Sequence, residues 1–124
     1  MGAVQLLLIA IGGAAGALMR YGIGLAAQAG GVSFPTGTLA VNLTGAFALG
    51  FIATFLVERT TVSPELRIAL TIGVLGAYTT FSTFSLETLN LLSDGEWSLA
   101  LLNIIASVTG SVLLAWAGQS LARA

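Results

Sequence analysis

The chain has 124 residues, 7% of them charged, with four arginines, no lysine and five acids for a formal net charge of −1. Its mean hydropathy is +1.00, and so few charges cannot cover a watery surface, since soluble domains carry about 25%; the class is integral membrane, in one domain. No cysteine and no histidine are present, which excludes disulfides and Cys/His zinc sites, and the missing basic surface excludes nucleic acid as a partner.

A membrane-crossing helix needs about 20 apolar residues, and the sequence offers four such runs. The first covers about 4–27. Gly12 and Gly16 form a small-xxx-small pair that permits close helix contact. Ala27-Gln28-Ala29 imitates a cleavage signal, but there is no basic stretch ahead of the run and its glycines continue to its end; it reads as a packing helix. Arg20 lies toward the far end of this span. It fits a side chain snorkelling to the headgroups, a cation in a water-filled entry that raises local anion concentration, or both.

Gly30, Gly31 and Pro35 mark a short loop, with Pro35 suited to a first helical turn. The second span covers about 34–57. Thr38, Asn42 and Gly45 share a face. Asn42 has two readings: interhelical glue, or an amide donor turned toward a pathway. Phe47, Phe51 and Phe55 are explained by packing. Ser63-Pro64-Glu65 carries a cap, a first-turn proline and an acid near the positive end of the dipole, so the third span begins at Pro64 and covers about 65–92. Gly95 closes it, and the fourth span covers about 97–117 between Trp97 and Trp116, at the two interfaces. Asn103, Ser107 and Gly110 or Ser111 form its polar or small face. Four spans put both termini on one side. Arg59, Arg67 and Arg123 there favour a cytoplasmic placement, yet the bias is small enough for insertion in both orientations. No internal repeat emerges, and four short helices leave little room for a conduit inside one subunit, which points to an oligomer.

The most informative stretch is Gly73 to Glu87, with five hydroxyl residues within seven positions: Thr79, Thr80, Ser82, Thr83 and Ser85. Gly73, Gly76 and the two threonines weaken a helix, so an interruption is expected between Gly76 and Thr80. A broken helix frees carbonyls at mid-membrane, as ion sites in transporters and channels require. Thr80, Thr83, Glu87 and Asn90 fall on one stripe. Glu87, the one acid inside a span, could join a pathway, pair with an arginine or reach the interface. Phe81 and Phe84 read either as ordinary core or as ring edges which, with hydroxyls and an amide, attract an anion without holding it too tightly.

Gly37-Thr38-Leu39-Ala40-Val41-Asn42-Leu43-Thr44-Gly45, Arg20 after its glycine-rich run, and Tyr78-Thr79-Thr80-Phe81-Ser82-Thr83-Phe84 together resemble the small bacterial fluoride channels, the Fluc or CrcB family, over nearly the whole chain. Gly76-Ala77 departs mildly from the family's glycine pair. The resemblance implies an all-α protein of the bacterial inner membrane, with four transmembrane helices and the third broken mid-membrane. It implies an antiparallel dual-topology homodimer in membrane lipid, with two fluoride pathways and no enzymatic activity. Asn42, Phe81, Phe84, Ser82, Thr83 and Glu87 would line each pathway, and Arg20 would stand near its vestibule. Backbone carbonyls of Gly76 and Thr79 would hold a structural sodium ion. Where the family's fourth helix often carries a polar aromatic, this chain offers Asn103. Two rivals remain: a small dual-topology proton-coupled multidrug exporter, for which the first span lacks an acid, and a non-transporting membrane assembly protein.

Overall fold

The computed structural model describes residues 2–124, and among them only helices and their connections occur. Helix α1 is Ala3–Gln28, α2 is Thr36–Glu58 and α6 is Trp97–Arg123. Between them the third span, Pro64–Ser93, is assembled from four pieces: α3 (Pro64–Ile68), a π-helical stretch (Ala69–Leu75), α4 (Gly76–Tyr78) and α5 (Phe81–Ser93). The four spans have 26, 23, 30 and 27 residues, and at 1.5 Å per residue each exceeds the roughly 30 Å of hydrocarbon.

Local chemistry sets the ends. Ser63 accepts a hydrogen bond from the Leu66 N–H at 3.3 Å, with Pro64 in the first turn, so the third span starts where a cap and a proline coincide. Gly31 and Gly95 adopt φ of 68° and 78°, the left-handed region in which glycine reverses a chain without a Cβ clash. The fourth span continues past Ala117 to Arg123, where the Arg123 guanidinium reaches Glu58 at 2.9 Å and Arg59 donates to the Arg123 carbonyl at 2.8 Å. The ends of α2 and α6 therefore lie together.

Glycines decide which helices touch. A Cβ at Gly12 would stand 2.7 Å from the Ala69 carbonyl oxygen, and one at Gly16 would collide with that of Val74. The small-residue face of α1 is thus consumed inside the subunit, against the π-helical stretch. In the same way Gly50 lies on the Ala115 backbone and Gly118 on the Phe47 backbone, which interlocks α2 with α6. Val41, Leu75 and Tyr78 form the small core joining the two pairs. Most other large apolar side chains, Leu18 and Trp116 among them, stay exposed on the single chain, as expected where lipid or another protein replaces water.

Candidate functional site

The interruption of the third span is confined to two residues. Thr79 (φ −86°, ψ 157°) and Thr80 (φ −152°, ψ 127°) are extended. Gly76, expected to open the break, remains helical at φ −64° and ψ −37°. The reason is where the compensating partners sit. Thr79 N–H still closes on the Leu75 carbonyl at 3.1 Å, but Thr80 N–H turns to Asn42 Oδ1 at 2.8 Å. The same amide donates from Nδ2 to the Thr80 carbonyl at 2.9 Å. One side chain of α2 thus satisfies both backbone groups of the residue at the break, as a strand neighbour would. Arg20 supplies a further partner, donating from Nε to the Ala77 carbonyl at 3.1 Å, an acceptor that a continuous helix would pair with the Phe81 N–H. Arg20 therefore reaches the break itself instead of running out to the headgroups. Thr80 restarts the helix as its cap, accepting from the Thr83 N–H at 3.3 Å. The Tyr78 hydroxyl hydrogen-bonds Thr44 Oγ1 at 2.9 Å, and Gly45 leaves no space for a Cβ against the Thr79 methyl and the Tyr78 ring.

Two cavities meet at Thr80. A groove of about 420 Å³ is lined by Asn42, Thr79, Phe81, Phe84, Ser107 and Ser111, and Gly45 and Gly76 also border it. The Phe81 and Phe84 rings stand 5.4 Å apart, tilted by 51°. They differ in setting: Phe84 is 7% exposed and Phe81 76%. The second cavity, about 180 Å³, is lined by Arg20, Thr38, Thr83 and Glu87, and Thr38 and Glu87 also border a recess under the α1–α2 loop. Thr38 donates to Glu87 Oε1 at 2.7 Å, while Glu87 Oε2 is buried without a partner. Glu87 forms no ion pair with Arg20; among the described residues the salt bridge is that of Glu58 with Arg123.

The anticipated residues separate accordingly. Asn42, Phe81 and Phe84 come together in the groove, and Thr83, Glu87 and Arg20 in the second cavity. Ser82 borders neither; it is exposed, with its hydroxyl 3.4 Å from that of Thr80. Asn90 is exposed and lies off the stripe's cavity. Asn103 does not line the groove. It is 2% exposed and bonds to Thr88 at 2.9 Å and to Ser107 at 3.3 Å. In its place Ser107 and Ser111, two members of that helix's expected polar or small face at i, i+4 spacing, line the groove from α6.

The donor set bears on a cation too. No group of three or more acids that could hold a metal occurs among the described residues, so backbone and hydroxyl oxygens are the available ligands. The Gly76 carbonyl loses its i+4 donor, because Thr80 N–H is committed to Asn42. Gly76 is also exposed on the single chain. A carbonyl without its helical donor on an open face fits a hard cation such as sodium.

A family profile described as CrcB-like protein, Camphor Resistance (CrcB), matches residues 7–119. A protein of Geobacter sp. (strain M21), named fluoride-specific ion channel FluC, is 50% identical over 121 residues, 97% of this chain and 98% of that one. Its namesake in Rhizobium meliloti (strain 1021) is 48% identical over 121 residues, 97% of each chain. That of Geobacter sulfurreducens is 51% identical over 120 residues, 95% of this chain and 96% of its own.

Proposed function

The chain belongs to the CrcB family, and we propose that it is a passive, selective fluoride channel that exports cytoplasmic fluoride. It is a multi-pass protein of the bacterial membrane, a channel and not an enzyme. The observation that carries the reading is the groove beside the Thr79–Thr80 break, where the Phe81 and Phe84 rings stand with the hydroxyls of Ser107 and Ser111. Ring edges and hydroxyls are partial positive charges without a full one. They replace an anion's water while leaving it free to move on, which conduction requires.

Each residue takes a part in that path. Arg20 draws anions into the cavity it shares with Thr38, Thr83 and Glu87. Asn42 uses its oxygen and one amide proton on Thr80, and the second Nδ2 proton is its contribution to the ion. Phe81 and Phe84 line the groove, and Ser82 acts from the exposed face. That face, with Phe81 and Gly76, is where a second copy completes the site. The assembly is an antiparallel dual-topology homodimer surrounded by lipid, with two pathways. A central sodium ion is held by the Gly76 and Thr79 carbonyls of both subunits; when bound it supplies positive charge and ties the copies together. The physiological logic is acid–base: neutral hydrogen fluoride crosses the membrane, dissociates in the more alkaline cytoplasm, and the trapped anion leaves through the channel.

Efflux from liposomes loaded with fluoride or chloride tests this. Fluoride should leave fast and chloride should be retained. A folded protein that releases neither, or both alike, sinks the channel reading. Repeating the assay and sizing the protein after exchange of sodium for a bulky organic cation tests the central ion. Loss of dimer and flux is expected, and unchanged behaviour counts against an exchangeable sodium.

A further inference from the structure

One polar network is enclosed between α5 and α6, apart from the break. Its polarity is fixed from one end. The Phe84 carbonyl can only accept, so the Thr88 hydroxyl donates to it, at 2.8 Å. Thr88 Oγ1 then has no proton left for another partner and accepts from Asn103 Nδ2 at 2.9 Å. The Asn103 amide is thereby oriented with Oδ1 toward Ser107, whose hydroxyl donates to it at 3.3 Å. Asn103 is 2% exposed and Ser107 6%, yet Ser107 borders the groove beside Phe84. Its one proton is committed to Asn103, which leaves lone pairs for the groove. An anion cannot use lone pairs; it must take the proton.

Resting on the fluoride-channel reading, we propose that Asn103 is a specificity-determining positioning residue: its Oδ1 competes with the permeating anion for the Ser107 proton. An anion draws that proton only if it accepts more strongly than an amide oxygen does. Fluoride, the most compact and strongest acceptor among the halides, meets that condition, and chloride does not. The link that must open is the longest of the three, at 3.3 Å against 2.8 and 2.9 Å, beyond the usual O–H···O range. Thr88 sets the direction of the competition, because its bond to Phe84 prevents the amide from presenting its NH₂ to Ser107. The competitor is thus held in place by the backbone of the residue whose ring lines the groove.

The test is the ratio of chloride to fluoride efflux in liposomes containing the full-length protein. Asn103→Leu removes the competing oxygen. Thr88→Val, close in shape, removes the acceptor that orients the amide. Each should raise the ratio about fivefold, the factor that corresponds to one neutral hydrogen bond. The rise should vanish when Ser107→Ala is added, whereas a general loosening of α5 against α6 would persist without the hydroxyl. An unchanged ratio overturns the proposal, as when the Ser107 proton falls back on the Asn103 backbone carbonyl. So does an equal rise in the Ser107→Ala background. Should Asn103→Leu not assemble, Thr88→Val decides alone. A wild-type protein that passes no fluoride is a different outcome: it removes the channel reading, and this proposal with it, before any variant is made.

Discussion

The break at Thr79–Thr80 and the groove beside it are built from the same kinds of residue, and they differ in what is left over. At the break the polar side chains are committed to backbone: Asn42 to both groups of Thr80, Arg20 Nε to Ala77, Thr80 Oγ1 to the Thr83 N–H. In the groove, Phe81 and Phe84 hold one another at 5.4 Å and their edges make no hydrogen bond, while Ser107 is held by its long bond to Asn103. A buried polar group is costly when unpaired. The membrane interior therefore allows an irregular backbone only where neighbours saturate it, and allows ion contacts only where donors are weak or loosely held. Scaffold and path are distinguished by hydrogen-bond occupancy more than by residue type.

The largest way to test that division is at Asn42. Asn42→Leu strands the Thr80 N–H and carbonyl together, and at about 1–3 kcal/mol for each unsatisfied group the chain should lose about 3 kcal/mol of stability and all flux. Asn42→Asp keeps the acceptor for Thr80 N–H and loses the donor to its carbonyl. It should recover part of the stability in detergent unfolding but little of the flux, because it sets a negative charge beside the groove. Equal stability in all three proteins would show that Asn42 is not the clamp.

A smaller effect separates the two rings. Phe84 is 7% exposed, so Phe84→Ile repacks a filled site and should cost about 1–2 kcal/mol as well as flux. Phe81 is 76% exposed on the single chain, so Phe81→Ile should leave subunit unfolding within about 0.5 kcal/mol while lowering flux. Unfolding curves and efflux rates measured on the same preparations distinguish them. Unchanged flux in both variants would return the pair to ordinary packing.

Much of this was legible in the chain. Four apolar runs, the cap at Ser63 and the interrupted hydroxyl-rich stretch follow from composition and period alone, and the face shared by Thr38, Asn42 and Gly45 does meet the third span, at Glu87, Thr80 and Thr79. The break lies inside the expected Gly76–Thr80 interval but at its far end, because the low helix propensity of glycine does not by itself open a helix. Gly76 remains helical, and the interruption falls where Asn42 can replace the missing bonds. Depth along its own helix, all that the sequence offers for Arg20, says nothing of a carbonyl contributed from 57 residues away. Asn103 shares a polar face with Ser107, but a one-helix pattern does not reveal Thr88 opposite. Long-range hydrogen bonds are the information that periodicity lacks.

The smallest expected effect lies at the clasp between the ends of α2 and α6. Arg123 grips Glu58 through Nε and a terminal nitrogen, at 3.1 and 2.9 Å, a geometry as good as that at the break. Yet these side chains are 53% and 40% exposed, so water and salt compete for both charges, and exposed pairs contribute little. The α2–α6 contact already rests on Gly50 and Gly118 against opposing backbone, which an exposed ion pair does not alter. Glu58→Gln and Arg123→Gln, singly or together, should therefore leave efflux and midpoint of unfolding unchanged at moderate salt. A marked loss from either would mean that hydrogen-bond geometry outweighs solvent access, and the contrast between break and groove would then need a different cause from occupancy in a dry interior.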